Sequence, residues 1–115
     1  MDITRHHQGA RMSQAVVYGD TIYLAGQVAD NPDAGIADQV RSVLGKIERL
    51  LQEAGSSKAK LLATTIYLAD LRDFATMNEL WDAWVDPHHT PARTTVEAKL
   101  ARPTLRVEMT VIAAR

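Results

Sequence analysis

Two charged side chains, Glu108 and Arg93, are of types that could act on a small molecule. Glu108 sits in the middle of Val107-Glu108-Met109-Thr110-Val111-Ile112-Ala113, whose alternation predicts a strand. A carboxylate there is costly unless it has a partner, and beside a bound water it can accept a proton. Its bland reading is a half-exposed strand residue paired with Arg106 or Lys99. Arg93 follows Pro91-Ala92. A guanidinium can clamp a carboxylate through two parallel charge-assisted hydrogen bonds, a planar fork that lysine cannot reproduce. On residue types alone an arginine after a proline turn fits an ordinary surface ion pair better, because exposed arginine is common, and the clamp reading needs further support.

Several other chemistries are excluded. With no cysteine, the chain has no disulfide, no thiolate metal site and no catalytic thiol. His6-His7 and His88-His89 are adjacent pairs, and neighbours in sequence rarely face one metal ion together. A zinc site needs three or four converging ligands, so no metal is expected. There is no Gly-rich phosphate loop, nucleophile elbow or serine-triad spacing. A net charge of −1, with Lys and Arg scattered among acids, gives no field for nucleic acid or an anionic membrane. Apolar residues at 46% and charged ones at 23% place the chain among globular rather than disordered proteins. Its 115 residues suit one domain over residues 1–115. The start of the chain lacks an apolar signal core, and no apolar run approaches the roughly 18 residues a membrane span needs. A cytoplasmic protein is the expectation.

The elements that must position these groups follow from periodicity. Val16 to Gly26 reads as two short strands joined by the Gly19-Asp20 turn, and a further strand before residue 10 is possible. Ala29 to Gly35 is a surface loop. From Ile36 the apolar positions Val40, Val43, Leu44, Ile47, Leu50 and Leu51 recur at spacings of three and four, predicting a helix closed by Gly55. Leu61 to Leu68 predicts a strand with Leu62, Thr64, Ile66 and Leu68 on one side. Asp73 is placed to cap a second helix whose apolar face is Phe74, Met77, Leu80, Trp81 and Trp84, ended by Asp86-Pro87. Strands over Thr94–Leu100 and Arg106–Ala113 complete the chain. The expected class is α+β, a mixed sheet with both helices on one face.

The other sheet face carries a second message. Val107, Met109, Val111 and Ala113 suit the covered side, leaving Arg106, Glu108, Thr110 and Ile112 to point away. A face that mixes these with Thr65 and Tyr67 is too apolar for free solvent and too polar for a private core. An interface between identical subunits is its simplest home.

Several segments, taken in order, resemble one family. They are Ser13-Gln14-Ala15-Val16, Ile22-Tyr23-Leu24-Ala25-Gly26-Gln27, Leu50-Leu51-Gln52-Glu53-Ala54-Gly55, Ile66-Tyr67-Leu68-Ala69-Asp70, Asp73-Phe74 with Met77-Asn78-Glu79, Pro91-Ala92-Arg93-Thr94-Thr95-Val96, and Val107-Glu108 with Val111-Ile112-Ala113. Together they resemble the reactive intermediate deaminase (YjgF/RidA) family over almost the whole chain. The resemblance implies a chorismate-mutase-like α+β fold, a homotrimer with clefts between neighbours, and no cofactor. It implies hydrolysis of 2-imino or 2-enamino acids to 2-keto acids and ammonia.

By the same resemblance Arg93 binds the substrate carboxylate and Glu108 orients or activates water. Asn78 supports the pocket, and Gly26 and Thr95 offer backbone N–H groups to the ligand. Two positions depart from many deaminating members: Met12 stands where they have tyrosine, and Ala25 where they have serine. Each deletes a hydroxyl worth about 0.5–1.5 kcal/mol as a hydrogen bond. Trp81 and Trp84 stand where smaller aromatics are common, which narrows the pocket, although Trp84 fits a core role better. Three functions compete: the deaminase (or one for a larger enamine such as 2-aminomuconate), a non-catalytic trimer that holds small carboxylates, and RNA cleavage. The neutral charge balance argues against the last.

Overall fold

The computed structural model describes residues 1–115. Six strands, β1 (Ile3–His6), β2 (Ala15–Tyr18), β3 (Thr21–Gln27), β4 (Leu61–Leu68), β5 (Ala92–Glu97) and β6 (Val107–Ala114), form one sheet in the order β1-β2-β3-β6-β4-β5. All neighbours are antiparallel except β4 and β5, which are joined by a crossover through α2 (Phe74–Trp84). That helix and α1 (Ile36–Glu53) bury their apolar residues in a core cluster shared with the strands, so the expected α+β layering is present.

Local chemistry explains the elements. Gly19, at φ 61°, and Asp20 make the two-residue turn between β2 and β3, with Tyr18 opposite Thr21. The face Val40, Val43, Leu44, Ile47, Leu50 and Leu51 of α1 is wholly buried. The helix closes as a Schellman motif: Gly55 takes φ 84°, its N–H donates to Gln52 O, and Ser56 N–H donates to Leu51 O at 2.8 Å.

Five expectations need correction. Asp73 does not cap α2; its buried carboxylate accepts two hydrogen bonds from Arg106, at 2.6 and 3.0 Å. Arg106 therefore lies just before β6 and turns to α2 rather than sharing a face with Glu108. Phe74 is 40% exposed, and the buried residues of α2 are Met77 and Trp81. Leu62 leaves the row of Thr64, Ile66 and Leu68, because the ladder to β6 is irregular between Leu61 and Ala63 and the side-chain alternation slips there. β5 starts two residues earlier than expected and stops at Glu97. Its ladder partner β4 ends at Leu68, whose carbonyl accepts the last bond from Ala98 N–H, and the chain then leaves the sheet.

A polar staple joins the helix layer to the loop before β6. Gln39 of α1, with no exposed surface, donates through Nε2 to Ala34 O (2.9 Å) and Thr104 O (3.1 Å) and accepts Arg106 N–H at 2.8 Å. Beyond α2, Asp86 accepts from His88 N–H and bonds the His89 ring, which hold its carboxyl below the usual range. No helix is long and apolar enough to cross a membrane.

Candidate functional site

Strand register sorts the residues singled out by the sequence onto two faces. Glu108 pairs with Tyr67 across β6 and β4, on the face turned away from the helices, while its neighbours Val107 and Met109 are fully buried beneath. Arg93 pairs with Thr64 across β5 and β4; Thr64 is buried, and the Arg93 guanidinium lies over the ring of Trp81 in α2. Arg93 thus belongs to the helix-covered face, at the sheet's outer strand. One chain brings Glu108 together with Gly26, and Arg93 together with Trp81. It does not bring the two pairs together.

The Glu108 half is built by an irregularity in β3. The β3–β6 register shifts between Leu24 and Gln27, so that Ala25 and Gly26 together face Thr110 and the bulge brings Gly26 beside the Glu108 side chain. A Cβ on Gly26 would collide with the Glu108 carboxylate, whose Cδ would lie 3.0 Å from it. Glycine here permits the close approach of the Glu108 carboxylate, which a Cβ would push aside; no unusual φ is involved. Gln27, only 2% exposed, braces the bulge: Nε2 donates to Ala25 O (3.0 Å) and to Gln14 Oε1 (2.9 Å), while Ala25 N–H donates to Gln14 O (2.9 Å). The sequence singled out no role for Gln27; an amide inside an apolar strand was the available signal. Arg106 is committed to Asp73, and no side chain forms an ion pair or hydrogen bond with Glu108. Met12 lies in the loop between β1 and β2 with 48% of its surface exposed, its carbonyl accepting Gly9 N–H.

The Arg93 half rests on the crossover. Arg93 makes no ion pair and no side-chain hydrogen bond; the group that holds it is the Trp81 ring, 5.5 Å from the guanidinium carbon to the ring centroid. Thr95 lies one strand step further on the same face, and Asn78, half-buried, is one turn before Trp81 on α2. Three buried polar atoms have no protein partner: Thr64 Oγ1 on β4, Thr95 Oγ1 on β5 and Trp84 Nε1 on α2. The main cavities of the single chain lie elsewhere, one of about 420 Å³ around Asp70, Asp73 and Arg106 and one of about 470 Å³ around Lys99, Arg102 and Pro103. No three His, Asp or Glu side chains are grouped to hold a metal ion; His7 bonds Glu53, and His89 bonds Asp86.

The open face itself is half apolar. Ile3, Tyr18, Tyr23, Val96 and Ile112 stand exposed on it beside Thr65, Tyr67, Glu108 and Thr110. The fold defines a class: a small α+β protein with a helix-free sheet face that carries Glu108 and an outer strand that carries Arg93. Comparison with known proteins places it within that class. Residues 4–115 match the family described as Endoribonuclease L-PSP, and the chain belongs to this family, also known as YjgF/RidA. It is 43% identical over 114 residues to the RutC family protein YoaB of Escherichia coli (strain K12), covering 99% of each chain. It is 32% identical over 109 residues to the 2-iminobutanoate/2-iminopropanoate deaminase of the same strain, covering 89% of this chain and 85% of that one. NMB1025 from Neisseria meningitidis, a solved member of the YjgF family, superposes with a TM-score of 0.96 at 46% identity, over 100% of this chain and 96% of that one.

Proposed function

We propose that this protein hydrolyses 2-imino acids and their 2-enamino tautomers to 2-keto acids and ammonia, at sites shared between subunits of a homotrimer. The observation that carries the reading is the separation of two unsatisfied charges, Glu108 on the open face and Arg93 on the covered one. A small carboxylate cannot touch both within one chain. It can where the Arg93 strand of one copy meets the Glu108 face of the next, and the half-apolar face supports such packing.

The chemistry then divides cleanly. Arg93 takes the substrate carboxylate in two parallel hydrogen bonds and sets the adjacent C=N carbon near Glu108. Glu108, with no competing cation, accepts a proton from the attacking water as the C–O bond forms. That proton passes to the imine nitrogen to give the carbinolamine; Glu108 then carries the hydroxyl proton to the amine, and as the C=O bond forms the C–N bond breaks, releasing ammonia and the 2-keto acid. Asn78, Thr95 and the Gly26 backbone line the path as supporting contacts. The likeness to a named iminobutanoate deaminase supports the substrate class. Met12 and Ala25 favour a second reading, a carboxylate-binding trimer without turnover, because both lack the hydroxyl common among deaminating relatives.

One experiment addresses site and assembly together. Arg93→Ala and Glu108→Gln are each made, then unfolded and refolded as an equal mixture, and ammonia release from freshly generated 2-iminobutanoate is measured. Each variant alone should be nearly inactive, and the mixture should recover about a quarter of the wild-type rate, the share of sites that draw both intact residues from different copies. No recovery places both residues' work within one chain and overturns the shared site. A wild type that releases no ammonia but binds 2-oxobutanoate favours the binding trimer. Light scattering should return roughly three times the 12.7 kDa chain mass.

A further inference from the structure

Arg93 is held by an aromatic face and by nothing charged. Trp81 is only 5% exposed and packs in the core, so its ring is fixed. Behind it Trp84 lies 5.5 Å away, tilted by 51°, and Lys58 sits 5.5 Å over the Trp84 ring. The result is a ladder of cation, indole, indole and cation running from the α1–α2 layer to the sheet edge.

An arginine that clamps a small anion must hold its fork in place before the anion arrives, or ordering the long side chain weakens binding. A neighbouring carboxylate can hold it, as Asp73 holds Arg106, but then the N–H donors are occupied. An aromatic face attracts the cation through its quadrupole and leaves the in-plane donors free. We infer that Trp81 is the positioning residue for Arg93: its ring orients the guanidinium so that the free edge of the fork meets the ligand carboxylate. This rests on the carboxylate-clamp reading above. A purely structural Trp81 would affect stability but not the ligand affinity of the folded protein.

The chain has two tryptophans, so Trp84→Phe leaves Trp81 as the only indole and makes its emission a reporter of Arg93. Titration with 2-oxobutanoate, followed in parallel by calorimetry, should change that emission, and Arg93→Ala in the same background should abolish both signals. Trp81→Leu should raise the Kd for 2-oxobutanoate and the KM for 2-iminobutanoate about tenfold while kcat stays within about threefold, and Trp81→Tyr should recover most of the loss. Calorimetric binding that leaves Trp81 emission unchanged overturns the positioning role alone, as does a folded Trp81→Leu with wild-type affinity. Should Trp81→Leu fail to fold, the emission experiment decides. Absence of binding by the wild type, or full affinity in Arg93→Ala, overturns the clamp itself and this role with it.

Discussion

Two arginines lie against α2 and are treated in opposite ways. Arg106 presents its fork to the buried Asp73 carboxylate in a bidentate pair and also fixes Gln39 through its backbone N–H. Arg93, on the neighbouring edge of the sheet, meets only the face of Trp81. The first region satisfies every charge it buries, and the second keeps a cation whose donors have no acceptor. The contrast separates an arginine that holds the fold from one placed to meet a ligand. Glu108 falls on the second side of that division, since the arginine nearest it in sequence is already committed elsewhere.

The comparison breaks most visibly at Arg93. Arg93→Ala should lower kcat/KM on 2-iminobutanoate by roughly 10²–10³-fold, because a charge-assisted clamp and the alignment it gives are both lost. Its melting temperature should move by no more than about 2 °C, since no buried partner is stranded. Arg93→Lys should recover little of the activity. Near-native turnover in Arg93→Ala would end the assignment.

Arg106→Met should show the reverse pattern. Removing it strands the Asp73 carboxylate in the core, at a cost of about 2–3 kcal/mol, toward the low end for such pairs because Arg106 itself is partly exposed. Urea unfolding measures the loss, and turnover per folded molecule should stay close to wild type. A stability unchanged by Arg106→Met would erase the distinction between the two arginines.

The smallest effect concerns the Glu108 side. Met12→Tyr with Ala25→Ser should raise turnover of 2-iminopropanoate roughly tenfold, the worth of two restored neutral hydrogen bonds being about 1–3 kcal/mol at most. If this double variant changes nothing while Glu108→Gln is also harmless, the cleft does not hydrolyse imines.

Much of this molecule was legible from residue types. The α1 face from Val40 to Leu51 and its Gly55 stop, the Gly19-Asp20 turn, and the alternation around Glu108 all depend on contacts within a few residues. The misreadings share another cause. Asp73 looked like a helix cap because cap residues are judged from the next turn, whereas its partner, Arg106, is 33 residues away. The alternation of β6, extended one residue before its start at Val107, points Arg106 to the open face, whereas the chain there has not yet entered the sheet. Leu62 departs from the row its period predicts because a bulge slips the alternation by one residue without any mark in composition. Within the site, Glu108 and Gly26 were identified as separate positions, but their steric dependence on each other is a matter of cross-strand register.

What the sequence determined by itself is therefore the set of elements, the buried faces and the identity of the charged residues, because short-range periodicity and side-chain chemistry suffice for these. The tertiary structure alone decided which charges are spent and which are free. Arg106 and Arg93 are chemically identical in a sequence. Only the packing of α2 against the end of β6 and the edge of β5 brings a carboxylate to one and an indole to the other, and only the sheet's two faces set Arg93 and Glu108 apart. Those are long-range placements, fixed by how the layers pack rather than by any local pattern.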